Sequence, residues 1–444
     1  MKRREFLGLV PGGVLAFRSC ALDRRSAAWK AGVATVDITP AQSLWMAGFA
    51  ARKEASQGVA LPLHAKALAI QCGAGRPAVL LTCDLLGVTK RITDRVAAVV
   101  QRRHGLQRAD LLFNASHTHC GPVIDEQLSV AYDLSLEQWD AIRAYTAKLE
   151  TQLTAVIEDA LARLRPARLA YARGEAGFAA NRRVSVTPDG PVDRSVPLLR
   201  VDGADDAPLA IVFGYACHNT TLPHTFVQYH GDYAGVAQAE LEQRYPGVSA
   251  LFVAGCGADA NPKPRGTPEL VQEHGAALAD AVERALRGAT PVEPSMRTAY
   301  SIVDLPFVDA QARERWRGQL TIDPVYLRRY DALMDAIIAR EGQLPAAQPD
   351  PVQVWRIGSG LTLVALGGEV VIDYALRLAR EYSDHRMWVA GYSNDVFGYV
   401  PSLRVLREGG YEGGDAMVYY GRTGPFAEPV EDLIVREVRR HVGA

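Results

Sequence analysis

Short apolar runs that stop abruptly on polar, chemistry-bearing residues set the strongest limit on what this chain can fold into. Leu111-Leu112-Phe113-Asn114-Ala115 runs into Ser116-His117-Thr118-His119-Cys120-Gly121-Pro122. Ala210-Ile211-Val212-Phe213-Gly214-Tyr215-Ala216 runs into Cys217-His218-Asn219, and residues 362–366 run into Gly367-Gly368-Glu369. Unbroken apolar runs of this length read as strands buried on both faces. Further strand candidates are residues 31–40, 67–71, 78–83, 250–254 and 388–390. Between them lie stretches near 94–103 and over 137–164, 234–244, 271–286, 371–382 and 429–442, with apolar residues every three or four positions, the spacing of helices. Strands separated by helices predict the α/β class: a single large domain with a mostly buried mixed β-sheet flanked by helices, any metal site lying at strand ends. The Pro-, Ala- and Gln-rich segment 342–351 reads as an internal loop.

The balance of the 444 residues, 48% hydrophobic and 22% charged, is that of a globular protein with a full core. With a formal net charge of -1 and no basic block, nucleic acid and acidic lipid are excluded as partner classes, leaving a small, weakly charged ligand. The N-terminus stands apart. Lys2-Arg3-Arg4-Glu5-Phe6-Leu7 precedes an apolar stretch over residues 7–17 that is too short for a stable membrane span. Residues 1–28 therefore read as a twin-arginine-like export signal, which places the mature protein in a bacterial periplasm or outside the cell. Arg18 makes Cys20 a poor lipid acceptor. Loss of the leader leaves five of the six cysteines, an odd number that implies no paired disulfide framework. Cys120 and Cys217, beside candidate ligands, read as core filler.

His117 and His119 would share a face if the strand continued through them, a common beginning for a metal site. His218 and Glu369 occupy equivalent places just past two other strands. Two histidines and a carboxylate form a set suited to a catalytic zinc with an open position. No G-x-G-x-x-G or G-x-x-x-x-G-K-[ST] loop supports nucleotide binding, and no G-x-S-x-G elbow supports a serine hydrolase. Asp259 and Asn261 read as turn residues.

Taken in order, these segments resemble the neutral/alkaline ceramidase family, zinc-dependent amidases of N-acyl sphingosines. Gly32-Val33-Ala34-Thr35-Val36-Asp37-Ile38-Thr39-Pro40 resembles its opening, and Ser116-His117-Thr118-His119-Cys120-Gly121-Pro122 its Thr-His-Thr-His-Ser-Gly-Pro motif. Asn181-Arg182-Arg183, the His218 strand end, Gly368-Glu369 and the segments from Asn394 through Tyr399 to Tyr411 fall in the family's order. The resemblance implies one zinc per chain held by His117, His218, Glu369 and Tyr399, with His119, Arg182 and Tyr411 facing the substrate carbonyl. Tyr399 enters through the resemblance alone. Two departures bear on the substrate: Ala258-Asp259-Ala260-Asn261-Pro262 stands where the family has Gly-Asp-Val-Ser-Pro, and the family's extra C-terminal domain is expected to be absent, leaving residues 29–444 as the ceramidase-like domain.

The expected function is hydrolysis of an amide or ester bond of an N-acylated, lipid-like small molecule by metal-activated water. One alternative is a zinc hydrolase acting on a non-sphingolipid acyl amide, lactam or ester. The other is an exported, non-catalytic metal- or ligand-binding protein. The sequence leaves the oligomeric state open.

Overall fold

The computed structural model describes residues 29–383 and 386–443, and the leader expected over 1–28, with Cys20, lies outside the described residues. The first two thirds of the chain supply strands β1 (Trp29–Asp37), β2 (His64–Cys72), β3 (Ala78–Cys83), β4 (Leu111–Ala115), β5 (Arg165–Glu175), β6 (Ala179–Asn181), β7 (Ser195–Gly203), β8 (Pro208–Tyr215), β9 (Ser249–Ala254), β10 (Ala260–Pro262) and β11 (Thr290–Pro291). Among the described residues, nine of these form one mixed sheet in the order β4-β3-β2-β1-β5-β7-β8-β9, with β11 added on β5, while β6 and β10 pair with each other. The pairs β3–β4 and β8–β9 are parallel. Their crossovers carry helices α1 (Lys90–His104) and α3 (Asp232–Arg244); α2 (Leu136–Ala162) and α4 (Pro268–Leu286) complete the helical cover of this sheet.

The last third adds β12 (Met296–Pro306), β13 (Ala347–Ile357), β14 (Leu361–Leu366), β15 (Glu369–Val370), β16 (Arg386–Ala390) and β17 (Tyr399–Val400). A four-stranded sheet runs β12-β13-β14-β16, with β14 and β16 parallel. The α/β class and mixed sheet agree with the sequence reading, and a second sheet enlarges it. Alternation within each strand explains the layering. Ala67 and Ala69 of β2 pack toward the α1–α2 side, and Leu68 and Ile70 face the other way. In the same core as Leu68 and Ile70 lie Trp355, Leu363 and Trp388 from the second sheet, so the two sheets pack face to face. Val352, Val354 and Val364 point outward into a core closed by α10 (Val430–Val442). (Helices α5 to α9 are Ala310–Gln319, Pro324–Glu341, Asp373–Glu381, Leu403–Glu408 and Gly410–Gly413.) A strand buried on both faces stabilises by about 1.5–3 kcal/mol for each large apolar side chain it covers, which is why both sets of positions stay apolar.

Residues 347–351 are a correction to the sequence reading. They are strand rather than loop, pairing with β12 from Ala347 opposite Pro306 to Pro351 opposite Ile302. The second neighbour, β14, joins only from Val352, so Pro349 and Pro351 sit where the strand is hydrogen-bonded on one side, the place a sheet tolerates proline. Strands β5, β7 and β12 are further elements that the apolar pattern does not reveal: β5 and β12 have half-exposed, charged faces, and the largely buried β7 is interrupted by Pro197, Arg200 and Asp202.

The large sheet curls until β4 meets β9. The Asn114 side chain fastens the two, Oδ1 accepting from the Ala254 amide at 2.9 Å and Nδ2 donating to the Gly391 carbonyl at 2.9 Å. The segments after β4 and β8 therefore emerge side by side, Thr118 bridging Asn219, while Gly255 after β9 bridges Ala390 of β16 and the Leu366 carbonyl at the end of β14 accepts from the Ser393 amide.

Candidate metal centre and substrate cleft

His117, His218 and Glu369 converge beyond the carboxyl ends of these strands, where open α/β sheets gather ligand sites. The route differs from the one expected. Strand β4 stops at Ala115, and His117 has φ 62°, a left-handed conformation costly for a residue with a Cβ. Its amide is held by the Leu85 carbonyl at 2.9 Å. His117 and His119 do meet, Nε2 to Nε2 at 3.2 Å, through this turn rather than by strand alternation.

Each of the two ring systems after β4 and β8 is aimed by a backbone carbonyl. His117 Nδ1 donates to Leu86 O at 2.6 Å, and His218 Nδ1 donates to Gly257 O at 2.9 Å. A carbonyl can only accept, so both Nε2 lone pairs are left facing inward. Glu369 Oε2 lies 3.0 Å from His117 Nε2 and 3.1 Å from His218 Nε2. It is fully buried and receives no hydrogen bond, while Oε1 accepts from the Tyr420 hydroxyl. Burial alone would raise the Glu369 carboxyl, but the histidines beside it hold it well below the ordinary carboxylate range. Burial also lowers the histidines: His218 falls to about 4, and His119 falls well below its usual value, helped by His117 and His218.

Tyr399 reaches the cluster because β17 pairs in parallel with β15, setting it opposite Glu369. Its hydroxyl is 3.3 Å from His218 Nε2 and accepts from Arg182 Nη2 at 2.9 Å. Burial pushes the phenol well up, against the pull of Arg182. Arg182 is held from behind by Glu412, Nε to Oε1 at 2.6 Å, and its guanidinium lies over the Tyr411 ring at 5.6 Å. Two donor sets thus share His117 and His218. One continues through Glu369 and Tyr399. The other adds His119, whose ring nitrogen lies within 4.8 Å of those of His117 and His218. Inward lone pairs and a buried, undonated carboxylate oxygen fit a bound cation of the zinc type, because without one they would repel one another in a medium that screens poorly.

All seven site residues from the sequence reading meet here. Those it missed are the supports: Tyr420 on Glu369, Glu412 on Arg182, the Tyr392 ring 4.3 Å from that of His117, and Gly48 under His119. A lone tyrosine or glycine carries no spacing signal. Cys120 and Cys217 are buried in separate apolar clusters, with burial pushing their thiols up, Cys120 to about 12. Asp259 is more than a turn residue: its buried carboxylate accepts from the Ile372 amide and the Asn181 side chain, at 3.0 and 3.1 Å.

Two cavities adjoin the cluster. One, of about 220 Å3, is lined by His117, His119, Glu369 and Tyr399 together with Leu86, Leu128 and Ala131. The other, of about 500 Å3, is lined by His119, Tyr399 and Tyr411 and by polar residues including Arg182, Arg265 and Asn261.

Fold and site together define an α/β protein with a buried, metal-competent histidine–carboxylate centre between two cavities. The family model for neutral/alkaline non-lysosomal ceramidase, N-terminal, matches residues 29–267, more than half of the chain. The chain belongs to the neutral/alkaline non-lysosomal ceramidase family and is a ceramidase-like hydrolase. Among solved structures, neutral ceramidase from Pseudomonas aeruginosa is similar with a TM-score of 0.72 at 19% identity, over 93% of this chain and 75% of that one. A ceramidase complexed with C2 is similar with a TM-score of 0.72 at 18% identity, over 93% and 76%. No curated protein sequence matches.

Proposed function

We propose that this protein is a zinc-dependent hydrolase of an amide, or ester, bond in an N-acylated small molecule, with His117, His218, Glu369 and Tyr399 holding one metal ion. The observation that carries the reading is Glu369 Oε2: buried, without a hydrogen-bond donor, and close to two Nε2 atoms whose rings are locked through Nδ1. When bound, zinc supplies a Lewis acid able to bring the pKa of a water to about 7.

The chain's own residues supply the rest. Tyr420 fixes the Glu369 carboxylate through Oε1. Arg182 sits against the Tyr399 oxygen, where its charge favours the ionised, ligating phenol over the neutral one. Burial favours neutral His119, and in the tautomer protonated at Nε2 the ring is a donor to a carbonyl oxygen as negative charge gathers there. Tyr411 and Arg182, its guanidinium over the Tyr411 ring, both line the larger cavity and are the further donors to that oxygen. Loss of one such donor typically costs about 2.7–4 kcal/mol of barrier, so Tyr411→Phe should lower turnover roughly 100- to 1,000-fold.

Metal analysis of purified protein, paired with detection of released amine across an acyl-amide library, tests the reading. One equivalent of zinc with amine release is expected; full turnover from demetallated protein would sink it. The leader is read as an export address, and replacing Arg3 and Arg4 by lysine should leave the protein inside the cell on fractionation. Unchanged export would refute that part.

A further inference from the structure

The two cavities are chemically unlike, and the difference identifies a substrate class. The smaller space, which shares His119 and Tyr399 with the larger one, is lined by Leu86, Leu128, Ala131 and aromatic rings. Its 220 Å3 lies below the roughly 300–1,000 Å3 of pockets that hold drug-sized ligands, so it suits a short apolar group. The larger cleft carries three arginines and one glutamate. Two of those arginines are committed. Arg182 and Arg183 both bind Glu412, each at 2.6 Å, and Arg183 also binds Glu408 at 3.0 Å. Arg265 is exposed and has no ion-pair or hydrogen-bond partner among the described residues.

The same cleft is lined by Asn261. Thr220 donates to Asn261 Oδ1 at 3.2 Å, which fixes the amide and leaves its NH2 as the available donor into the cleft. This is the position where the sequence departs from the family's serine. A planar amide donor and one uncompensated guanidinium lining one cleft match a carboxylate, which is planar and singly charged; a phosphate would bring about -2 to a single free cation.

Resting on the hydrolytic reading above, we propose that the larger cleft binds a carboxylate on the amine half of the substrate through Arg265 and Asn261, and that the substrates are N-acyl amino acids with a short acyl group. The reaction is the same hydrolysis. The amide C–N bond breaks, a C–O bond forms from water, and the proton that water loses ends on the departing amine. The acyl group occupies the apolar cavity and the amino acid leaves through the cationic cleft.

The test is kcat/KM of the zinc-loaded protein on N-acetyl-, N-octanoyl- and N-palmitoylglycine, on the matching glycinamides, on the matching ethanolamine phosphates and on an N-acylsphingosine. The carboxylates should exceed their neutral carboxamides tenfold or more, and the shorter chains should exceed palmitoyl. In Arg265→Glu, a surface change that spares the fold, that carboxylate-to-carboxamide ratio should fall at least tenfold, through KM rather than kcat. A ratio near one in the native protein, an unaltered ratio in Arg265→Glu, or preference for the phosphate or the sphingosine would each overturn the proposal while leaving the hydrolase intact. No hydrolysis of any compound would overturn it together with the reading beneath it.

Discussion

Glu369 and Tyr399, far apart in sequence, lie directly opposite each other in a two-residue parallel bridge. That pairing brings a carboxylate and a phenol to the same pair of histidines. The bridge is short, so its precision comes from its surroundings: the Gly398 carbonyl accepts from the Glu369 amide at 2.7 Å, and the Val400 carbonyl from the Val371 amide at 3.3 Å.

Tyr420→Phe removes the hydroxyl that holds Glu369 Oε1. Supports of this kind typically contribute 10- to 100-fold to metal affinity. Zinc affinity should fall by about that factor, measured by competition with a chelator, while circular dichroism stays native. Unchanged affinity would show that Oε2 needs no support from Oε1.

His117→Ala and His119→Ala separate the two donor sets. If zinc is held through Glu369 and Tyr399, His117→Ala should lose both metal and turnover, whereas His119→Ala should keep stoichiometric metal and lose turnover. Loss of zinc in both variants would favour the three-histidine set.

Gly48→Ala tests whether His119 must sit where it does. Gly48 has φ 99°, and a Cβ there would come within 2.4 Å of His119 Nδ1. The ring would have to move, and a shift near 1 Å at a reacting centre can cost about 100-fold in rate. A large fall in kcat with metal retained is expected; native kcat would rule out a positional role for His119.

Asp395, outside the proposed ligand set, gives a pH signature. Burial raises its carboxyl to about 6, although Arg422 and Lys90 favour ionisation. Its pKa is therefore higher folded than unfolded, near 3.9 in the latter. The folded state binds more protons between the two values, so this group's contribution to stability is full below about pH 4 and is lost as pH rises through 6. Asp395→Asn should flatten that component. Its Tm relative to the native protein should be higher at pH 7.5 than at pH 4.5, read by calorimetry, and an equal difference at both pH values would refute the assignment.

Much of the site was legible because apolar strands must end, and the residues just past a buried strand lie where a sheet meets its ligands. That reasoning reaches His117, His218 and Glu369 from the runs before them. It also brings His117 and His119 together, but for the wrong reason: it takes the backbone as extended, whereas a left-handed turn at His117 makes the two rings converge. Tyr399 was visible only through resemblance, since a tyrosine after Gly398 has no spacing of its own. Tyr420, Glu412 and Gly48 left no trace, because each acts through contacts between segments remote in the chain.

By itself the sequence determined the alternation of buried strands and helices, and with it the polar residues stranded at their ends, since apolar patterning arises from local periodicity and burial. Only the tertiary structure decided which of those ends meet. The curl of the large sheet, fastened by Asn114 across β4 and β9, sets His117 beside His218, and the β15–β17 bridge adds Glu369 and Tyr399. Those distances depend on how two sheets pack face to face, a property of many contacts at once that no single stretch of residues encodes.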